Sequence, residues 1–577
     1  MIRDRKPKRF RRTITAGISI GAAVLLVAPW AQGWFYAPFS ARRFAAAADN
    51  ADASRAAVEV LRAGGNAVDA AIAASLALGV VSPSSSGFGG GGFALVCQPT
   101  GGRCTFVDFR ETAPAALTIE RIRNAANPSR ASQVGGLAVG VPGEPMGFIE
   151  MARRYGRKPL SVSVGPAVRL ARNGFRVSPF LADRLAQERP ELQSNPAFAS
   201  VFSRGGVPFS SGELLRRPRL ATTLERYGRE GERFVHGALA QAIESTVRAA
   251  GGVLTADDIR GYHSVERTPL SRVFRGATVV TAPPPSAGGV VLLETLAQYD
   301  ALAARNLPLV SQTSATFHAL ADAFKHGFDD RARYVGDPGN SQLDRPSAVA
   351  ESLLAPARLA QRHRTFDASR ARPVVVIEPA RDQGTTHLCV IDSDGMAVSL
   401  TTTVNLSFGS RVVVDSMDVL LNDQIDDFSL GTAGNNFGLA NSTPNALAVG
   451  RRPISSMAPT IVLRDGRPVL AAGASGGPRI ATATTQVILN VLAHGMNVEA
   501  AVASPRIHHQ GAPDVLLVER EVSEDVRLGL RARGYQVQES DTPLAAATAI
   551  SVGEIAGTRA LFASSDPRKQ GGAPAGE

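Results

Sequence analysis

Cysteine is scarce in this chain. There are three in 577 residues, Cys97, Cys104 and Cys389, and none stands at a spacing from histidine that would build a zinc site. No metal is implied, and no organic cofactor. No tract is biased enough to suggest long disorder, and no fixed-period repeat is present. Also missing is any basic stripe interleaved with aromatics on which bases could stack, so the net charge of +11 does not point to nucleic acid. Residues 1–12 hold seven basic side chains against Asp4 alone, a net +6, and elsewhere basic residues stand singly among acidic ones. The run Gly89–Gly92 is followed by no Gly-Lys-Ser/Thr, which excludes a phosphate loop.

What remains is ordinary globular composition, 44% apolar and 20% charged, with length enough for a sizeable core. The basic arm leads into an uncharged apolar stretch at 14–31, the pattern of a secretory signal or membrane anchor. Pro29-Trp30-Ala31 lacks a small residue where a cleavage signal needs one, which favours an uncleaved anchor; Arg11-Arg12 also fits a twin-arginine signal. Basic residues stay on the cytoplasmic side, so residues 1–40 read as arm plus signal or anchor, with the body exported to the periplasm or held at the membrane's outer face.

Apolar spacing predicts helices over 53–61, 67–78, 144–154, 163–173, 239–250, 290–302 and 315–333, the last with Asp329, Asp330 and Arg331 on its polar side. Residues 336–383 look less regular. Strands at 386–392 and 397–404 alternate about Ser393-Asp394-Gly395, a hairpin signal, and further strands are expected at 460–463 and 469–472, helices at 481–494 and 498–503. The four-glycine run reads as structural, a close backbone approach feeding a strand. Cys97 and Cys104 flank a turn and could form a cross-strand disulfide in an oxidising compartment; two reduced small residues in strands is an equal alternative. Helices, then strands, then helices suggest sheets covered by helical layers in one two-part body.

One position carries possible chemistry. Thr385-Thr386-His387 begins a strand directly after Gly384. A threonine hydroxyl is a weak nucleophile that needs an adjacent base. If the Gly384–Thr385 bond is cut, Thr385 gains an α-amine of pKa about 7.7–8.0, suited to that task. Gly384 has no Cβ to hinder the hydroxyl's approach to its carbonyl. Taken alone, Gly-Thr-Thr is only a strand start, and His387 reads as structural.

The surroundings add weight. After Thr385 come Asp394-Gly395, Thr401-Thr402-Thr403-Val404-Asn405, Asn422-Asp423-Gln424-Ile425-Asp426-Asp427-Phe428, Arg452-Pro453-Ile454-Ser455-Ser456-Met457-Ala458-Pro459-Thr460 and Gly473-Ala474-Ser475-Gly476-Gly477. Before it stand Gly64-Gly65-Asn66-Ala67-Val68-Asp69-Ala70-Ala71, Asp108-Phe109-Arg110-Glu111-Thr112-Ala113-Pro114 and Gly140-Val141-Pro142-Gly143; Ser565-Asp566-Pro567-Arg568 stands near the end. In this order, over residues 45–577, the chain resembles the γ-glutamyltransferase family. The resemblance implies the α+β, four-layer αββα sandwich of N-terminal-nucleophile hydrolases and self-cleavage between Gly384 and Thr385. The products would be a large subunit, 41–384, and a small one, 385–577, that stay associated.

It further implies that Thr385 forms a γ-glutamyl ester and that Thr403 tunes it, while Thr401 is a strand threonine. Arg110 with Ser455 and Ser456 would take the donor's α-carboxylate, and Asp427 with Asn405 and Gln424 its α-ammonium. Gly476 and Gly477 would hold the oxyanion. The donor would be a γ-glutamyl amide such as glutathione; the acceptor would be water, an amino acid or a peptide. Phe437 stands near where a lid tyrosine is often found, which bears on the balance of hydrolysis against transfer. Competing readings are an acylase of the same fold acting on glutaryl or cephalosporin side chains, poly-γ-glutamate processing, and a catalytically dead, membrane-tethered binding protein.

Overall fold

The computed structural model describes residues 38–339, 347–373, 384–431, 439 and 442–577; the arm and apolar segment at 1–31 and Phe437 lie outside the described residues. Two seven-stranded antiparallel sheets carry the architecture. From edge to edge, one holds Phe39–Ala41, Thr558–Ser565, Ala546–Ile555, Arg467–Ser475, Thr460–Arg464, Ala277–Thr281 and Leu270–Phe274. The other holds Ala575–Gly576, Ala45–Ala48, Thr386–Ile391, Ala397–Thr403, Gly91–Cys97, Cys104–Phe109 and Val265–Arg267.

Side-chain alternation along the strands stacks them. Ala45, Ala47, Phe93, Leu95, Cys389 and Ile391 of the second sheet share a core with Ile461, Ala472, Ile550 and Leu561 of the first. Their neighbours Ala46, Ala48, Ala94, Val96, Leu388 and Val390 turn the other way, onto helices Ala51–Arg62, Ala67–Val81 and Glu144–Tyr155. Helices Gly288–Ala303, Ser314–Tyr334 and Arg479–Leu492 cover the first sheet's far face. The order is helix, sheet, sheet, helix, the α+β sandwich that the resemblance implies.

Helix Ala67–Val81 is buried on all sides, every residue but Gly79, which is why it is apolar all round rather than striped. Asn66 caps it in a reciprocal box with Asp69. Asp392 ties it to the strand pair below: one carboxylate oxygen accepts from Ala67 N at 3.0 Å, and the other accepts from Asp394, Gly395 and Met396 N to form the hairpin turn. Cys97 and Cys104 face each other across adjacent strands and form a disulfide.

The expected elements are present, several longer than their apolar spacing suggested, such as the strand Arg467–Ser475. Among the described residues of 336–383 there are two short helices, Ala348–Leu353 and Pro356–Arg364. The hairpin Ala546–Ile555 with Thr558–Ser565 had no clear signal, because alanine, serine and threonine in a strand buried on both faces leave no alternation to read. Among the described residues, no helix is long and apolar enough to cross a membrane.

Candidate active site

Strands Thr386–Ile391 and Ala397–Thr403 lie side by side in mid-sheet, so Thr385 and Thr403 come together at their ends. Thr385 Oγ1 lies 3.2 Å from Thr403 Oγ1, and both hydroxyls donate to the Gly384 carbonyl oxygen, at 2.8 Å and 2.6 Å. Asn405 N donates to Thr403 Oγ1 at 2.9 Å, fixing that hydroxyl's orientation. Gly384 is required twice over: its φ is +96°, and a Cβ there would meet Asn405 O at 2.4 Å. The glycine run at 89–92 has a similar cause. A Cβ on Gly90 or Gly92 would come within 2.1 Å of the carbonyl of Thr403 or Thr401, so only bare backbone can approach the strand Ala397–Thr403 this closely.

Thr401 turns away to His387, Oγ1 to Nδ1 at 2.8 Å. Burial drives the His387 imidazole down to about 3, so it stays neutral between the sheets. Its ring fills the space that a side chain at position 473 would need, which accounts for Gly473. The structural readings of His387 and Thr401 stand.

Thr385 and Thr403 border a cleft of about 350 Å³ lined also by Arg110, Asn405, Gln424, Asp427, Ser455, Ser456 and Gly477. The six residues expected to bind the substrate's charged ends therefore line one cleft with Thr385, Thr403 and Gly477, while Gly476 lines the neighbouring one. Arg110 follows the strand Cys104–Phe109; its guanidinium donates to Asp427 Oδ2 at 2.5 Å and to the Ile454 carbonyl at 3.1 Å. Gln424 Nε2 donates to the same Asp427 oxygen at 2.7 Å, while Asn405 Nδ2 donates to the Asp423 carbonyl. Burial raises the Asp427 carboxyl against the pull of Arg110. The loop at 283–289 backs the serine pair: Ala287 N donates to Ser455 O at 2.9 Å, and Gly288 lies too close to Met457 O to carry a Cβ. Gly476 (φ +140°) and Gly477 (φ +53°) make the turn from strand Arg467–Ser475 into helix Arg479–Leu492, beside Thr385.

Several residues near Thr385 had no signal as functional ones. Arg331 does not sit on a solvent-facing side of its helix; it is buried, lines the cleft, and its Nε meets no partner among the described residues. Burial lowers its guanidinium to about 10, which leaves it charged at neutral pH. Asn445 clamps two walls, donating to Asp427 O at 2.7 Å and accepting from Ile454 N at 2.9 Å. Behind Thr385, Lys569 Nζ donates to the Thr385 carbonyl at 2.7 Å and to Asp49 Oδ2 at 2.8 Å. Ser475 Oγ and His387 N bond the same Asp49 oxygen. Behind Arg110, Glu111 is fully buried 4.0 Å from a guanidinium nitrogen, and burial pushes its carboxyl up to about 8.

The gamma-glutamyltranspeptidase family profile matches residues 53–576. The chain is 36% identical over 541 residues to a glutathione hydrolase proenzyme of Escherichia coli (strain K12), covering 92% of this chain and 91% of that one. It is 36% identical over 510 residues to glutathione hydrolase 3 of Arabidopsis thaliana, with coverage of 85% and 78%. Among solved structures, the cephalosporin acylase from Bacillus halodurans superposes with a TM-score of 0.81 at 28% identity, over 94% of this chain and 97% of that one. The gamma-glutamyltranspeptidase of Helicobacter pylori superposes at 0.51 and 31% identity, over 56% of this chain and 91% of that one. With this profile spanning almost all of the folded body and relatives this similar along their length, the chain belongs to the gamma-glutamyltranspeptidase family.

Proposed function

We propose that this protein is a self-processing γ-glutamyltransferase. It cuts its chain between Gly384 and Thr385, keeps 41–384 and 385–577 together, and uses Thr385 to move a γ-glutamyl group from an amide such as glutathione to water, an amino acid or a peptide. The observation that carries this is the convergence of the Thr385 and Thr403 hydroxyls on the Gly384 carbonyl oxygen, beside a cleft holding Arg110 and Asp427.

In self-cleavage, Thr385 Oγ1 adds to the Gly384 carbonyl carbon, with Thr403 stabilising the oxygen as it gains charge. The C–N bond breaks as the amide nitrogen takes the hydroxyl proton. Water then hydrolyses the ester, leaving a Gly384 carboxylate and a free Thr385 amine. In turnover that amine accepts the Oγ1 proton as the hydroxyl attacks the donor's γ-carbonyl. The Gly476 and Gly477 N–H groups hold the oxyanion, the departing amine takes the proton, and the acceptor reverses the sequence. Arg110, Ser455 and Ser456 take the α-carboxylate; Asp427, Asn405 and Gln424 take the α-ammonium. A zwitterionic donor thus exchanges the Arg110–Asp427 pair for two pairs with itself, so no buried charge is left uncompensated.

Intact mass and amino-terminal sequencing of the purified protein test this directly. A fragment of residues 385–577 beginning Thr-Thr-His, with hydrolysis of a γ-glutamyl anilide, is expected; a stable, uncut and inert chain would favour the dead binding protein and sink the proposal. The fold likeness to the cephalosporin acylase supports a second reading, a side-chain acylase. A glutaryl anilide, which lacks the α-ammonium, separates the two, and turnover of it in preference to the γ-glutamyl anilide would favour the acylase. Export rests on residues 1–31 alone and is checked by cell fractionation.

A further inference from the structure

We infer that a buried quartet of charges, Asp108, Arg267, Asp337 and Arg452, fixes the distance between Arg110 and the Ser455-Ser456 pair. It thereby sets how strongly the cleft prefers a donor that carries an α-carboxylate. The inference rests on the γ-glutamyl reading above and adds positioning residues to it.

Arg110 and the serine pair stand on different parts of the chain and have to converge on one small anion. Arg110 directly follows the strand Cys104–Phe109, whereas Ser455 and Ser456 lie in irregular chain before the strand Thr460–Arg464. The quartet reaches both. Asp108 Oδ1 accepts from Arg110 N at 3.0 Å and lies 3.4 Å from Arg452 Nε, so one oxygen meets both arms. The other oxygen accepts from Arg267 Nε at 2.8 Å. Arg267 Nη2 continues to Asp337 Oδ1 at 3.2 Å, and Asp337 Oδ2 accepts from Arg452 N at 2.9 Å, three residues before Ser455. The circuit closes on itself with alternating signs and no net charge. All four side chains are buried, and none lines the donor cleft. Two neighbours complete the grip: Tyr262 Oη donates to Arg110 O at 2.8 Å, and Arg452 Nη2 donates to His263 O at 2.8 Å.

Holding strands together does not require this arrangement. Desolvation takes back most of what a buried ion pair gains, and apolar replacements are often neutral for stability. What a bonded polar network supplies is one geometry rather than several. Here that geometry is the separation of two groups that grip a carboxylate, and a displacement well under 1 Å spoils such a grip. Asp108, Arg267 and Asp337 precede position 384 and Arg452 follows it, so the quartet also joins the two sides of the proposed cut without using the chain between them.

The test uses the cleaved enzyme and two donors, a γ-glutamyl anilide and a 4-aminobutyryl anilide, which keeps the ammonium and lacks the carboxylate. The quantity read is the ratio of kcat/KM for the first to that for the second. The double variant Arg267→Met with Asp337→Leu removes two opposite charges together and is expected to lower this ratio roughly tenfold, the scale of a sub-ångström misplacement. Asp337→Asn, nearly identical in shape, should lower it in the same direction and keeps the test open if the double variant fails to fold. A general loss of stability would reduce turnover of both donors together and leave the ratio alone. An unmoved ratio in a folded variant therefore overturns the inference and makes the quartet scaffolding. Unmodified enzyme that turns over neither anilide, or favours the 4-aminobutyryl one, overturns the γ-glutamyl reading instead, and this inference with it.

Discussion

Arg110 and Asp427, the two groups expected to hold opposite ends of a substrate zwitterion, are bonded to each other, Nη2 to Oδ2 at 2.5 Å. Both are buried, so removing one partner strands the other's charge. Arg110→Ala should cost about 3–5 kcal/mol of stability as well as donor binding. The double variant Arg110→Met with Asp427→Leu should recover most of that stability and none of the binding. Denaturant unfolding beside KM for a γ-glutamyl anilide checks this; a double variant as unstable as the single would show that the pair is not the cause.

Arg331 brings a second guanidinium to the cleft, and its Nε meets no partner among the described residues. Arg331→Gln is expected to raise KM for the donor roughly tenfold and to leave self-cleavage intact. An unchanged KM would reduce Arg331 to a packing role.

Thr403 should matter before turnover begins. Thr403→Val removes the shorter of the two hydrogen bonds to Gly384 O and should slow self-cleavage about 100-fold, while Thr403→Ser should restore it. Denaturing gels over time give the rate; equal rates in the Val and Ser variants would remove Thr403 from the cleavage step.

What the sequence shows and what it hides divide along a physical line. Thr385, Thr403 and the Ser455-Ser456 and Gly476-Gly477 pairs sit in short runs whose order is distinctive, so the site was legible as a string. Arg331 was not, since one arginine among helical polar residues looks solvated until the fold buries it. The Lys569–Asp49 pair joins residues 520 apart, and no spacing rule connects them. Asn445 uses both ends of its side chain on backbone, which leaves no partner residue to notice.

Glu111 gives a pH signature. Its carboxyl sits at about 8 in the folded state against 4.5 for the free group. A raised folded value means that its contribution to stability is fully present below 4.5 and is lost as pH climbs through 8. Glu111→Gln, which cannot ionise, should therefore lose less stability between pH 5 and pH 8 than the unmodified protein does. Urea midpoints across that range decide it, and parallel curves would refute the assignment.

Lys569 places a positive charge 2.7 Å from the Thr385 carbonyl, next to the amine that cleavage would release. Its partner Asp49 lies 2.8 Å from Nζ, so removing the cation would leave that carboxylate to favour the ammonium form. In Lys569→Met the acid limb of kcat/KM should move up by about one pH unit, and in Lys569→Arg it should not. A limb unmoved in the Met variant would leave Lys569 as a tether only.

Thr386–Ile391 lies between Ala45–Ala48 on one side and Ala397–Thr403 on the other, and each of the two large sheets mixes strands from before and after position 384. A break at Gly384–Thr385 would therefore detach no layer from the rest: each sheet would be shared between the products, and neither would own a complete one. It would instead change the order of the folding reaction. The uncut chain would refold as one molecule, at a rate independent of concentration. The two products, once denatured, would have to find each other again by collision. Cleavage in this architecture would make a first unfolding hard to undo in dilute solution, so the lifetime of the cut protein would be set by how slowly it opens.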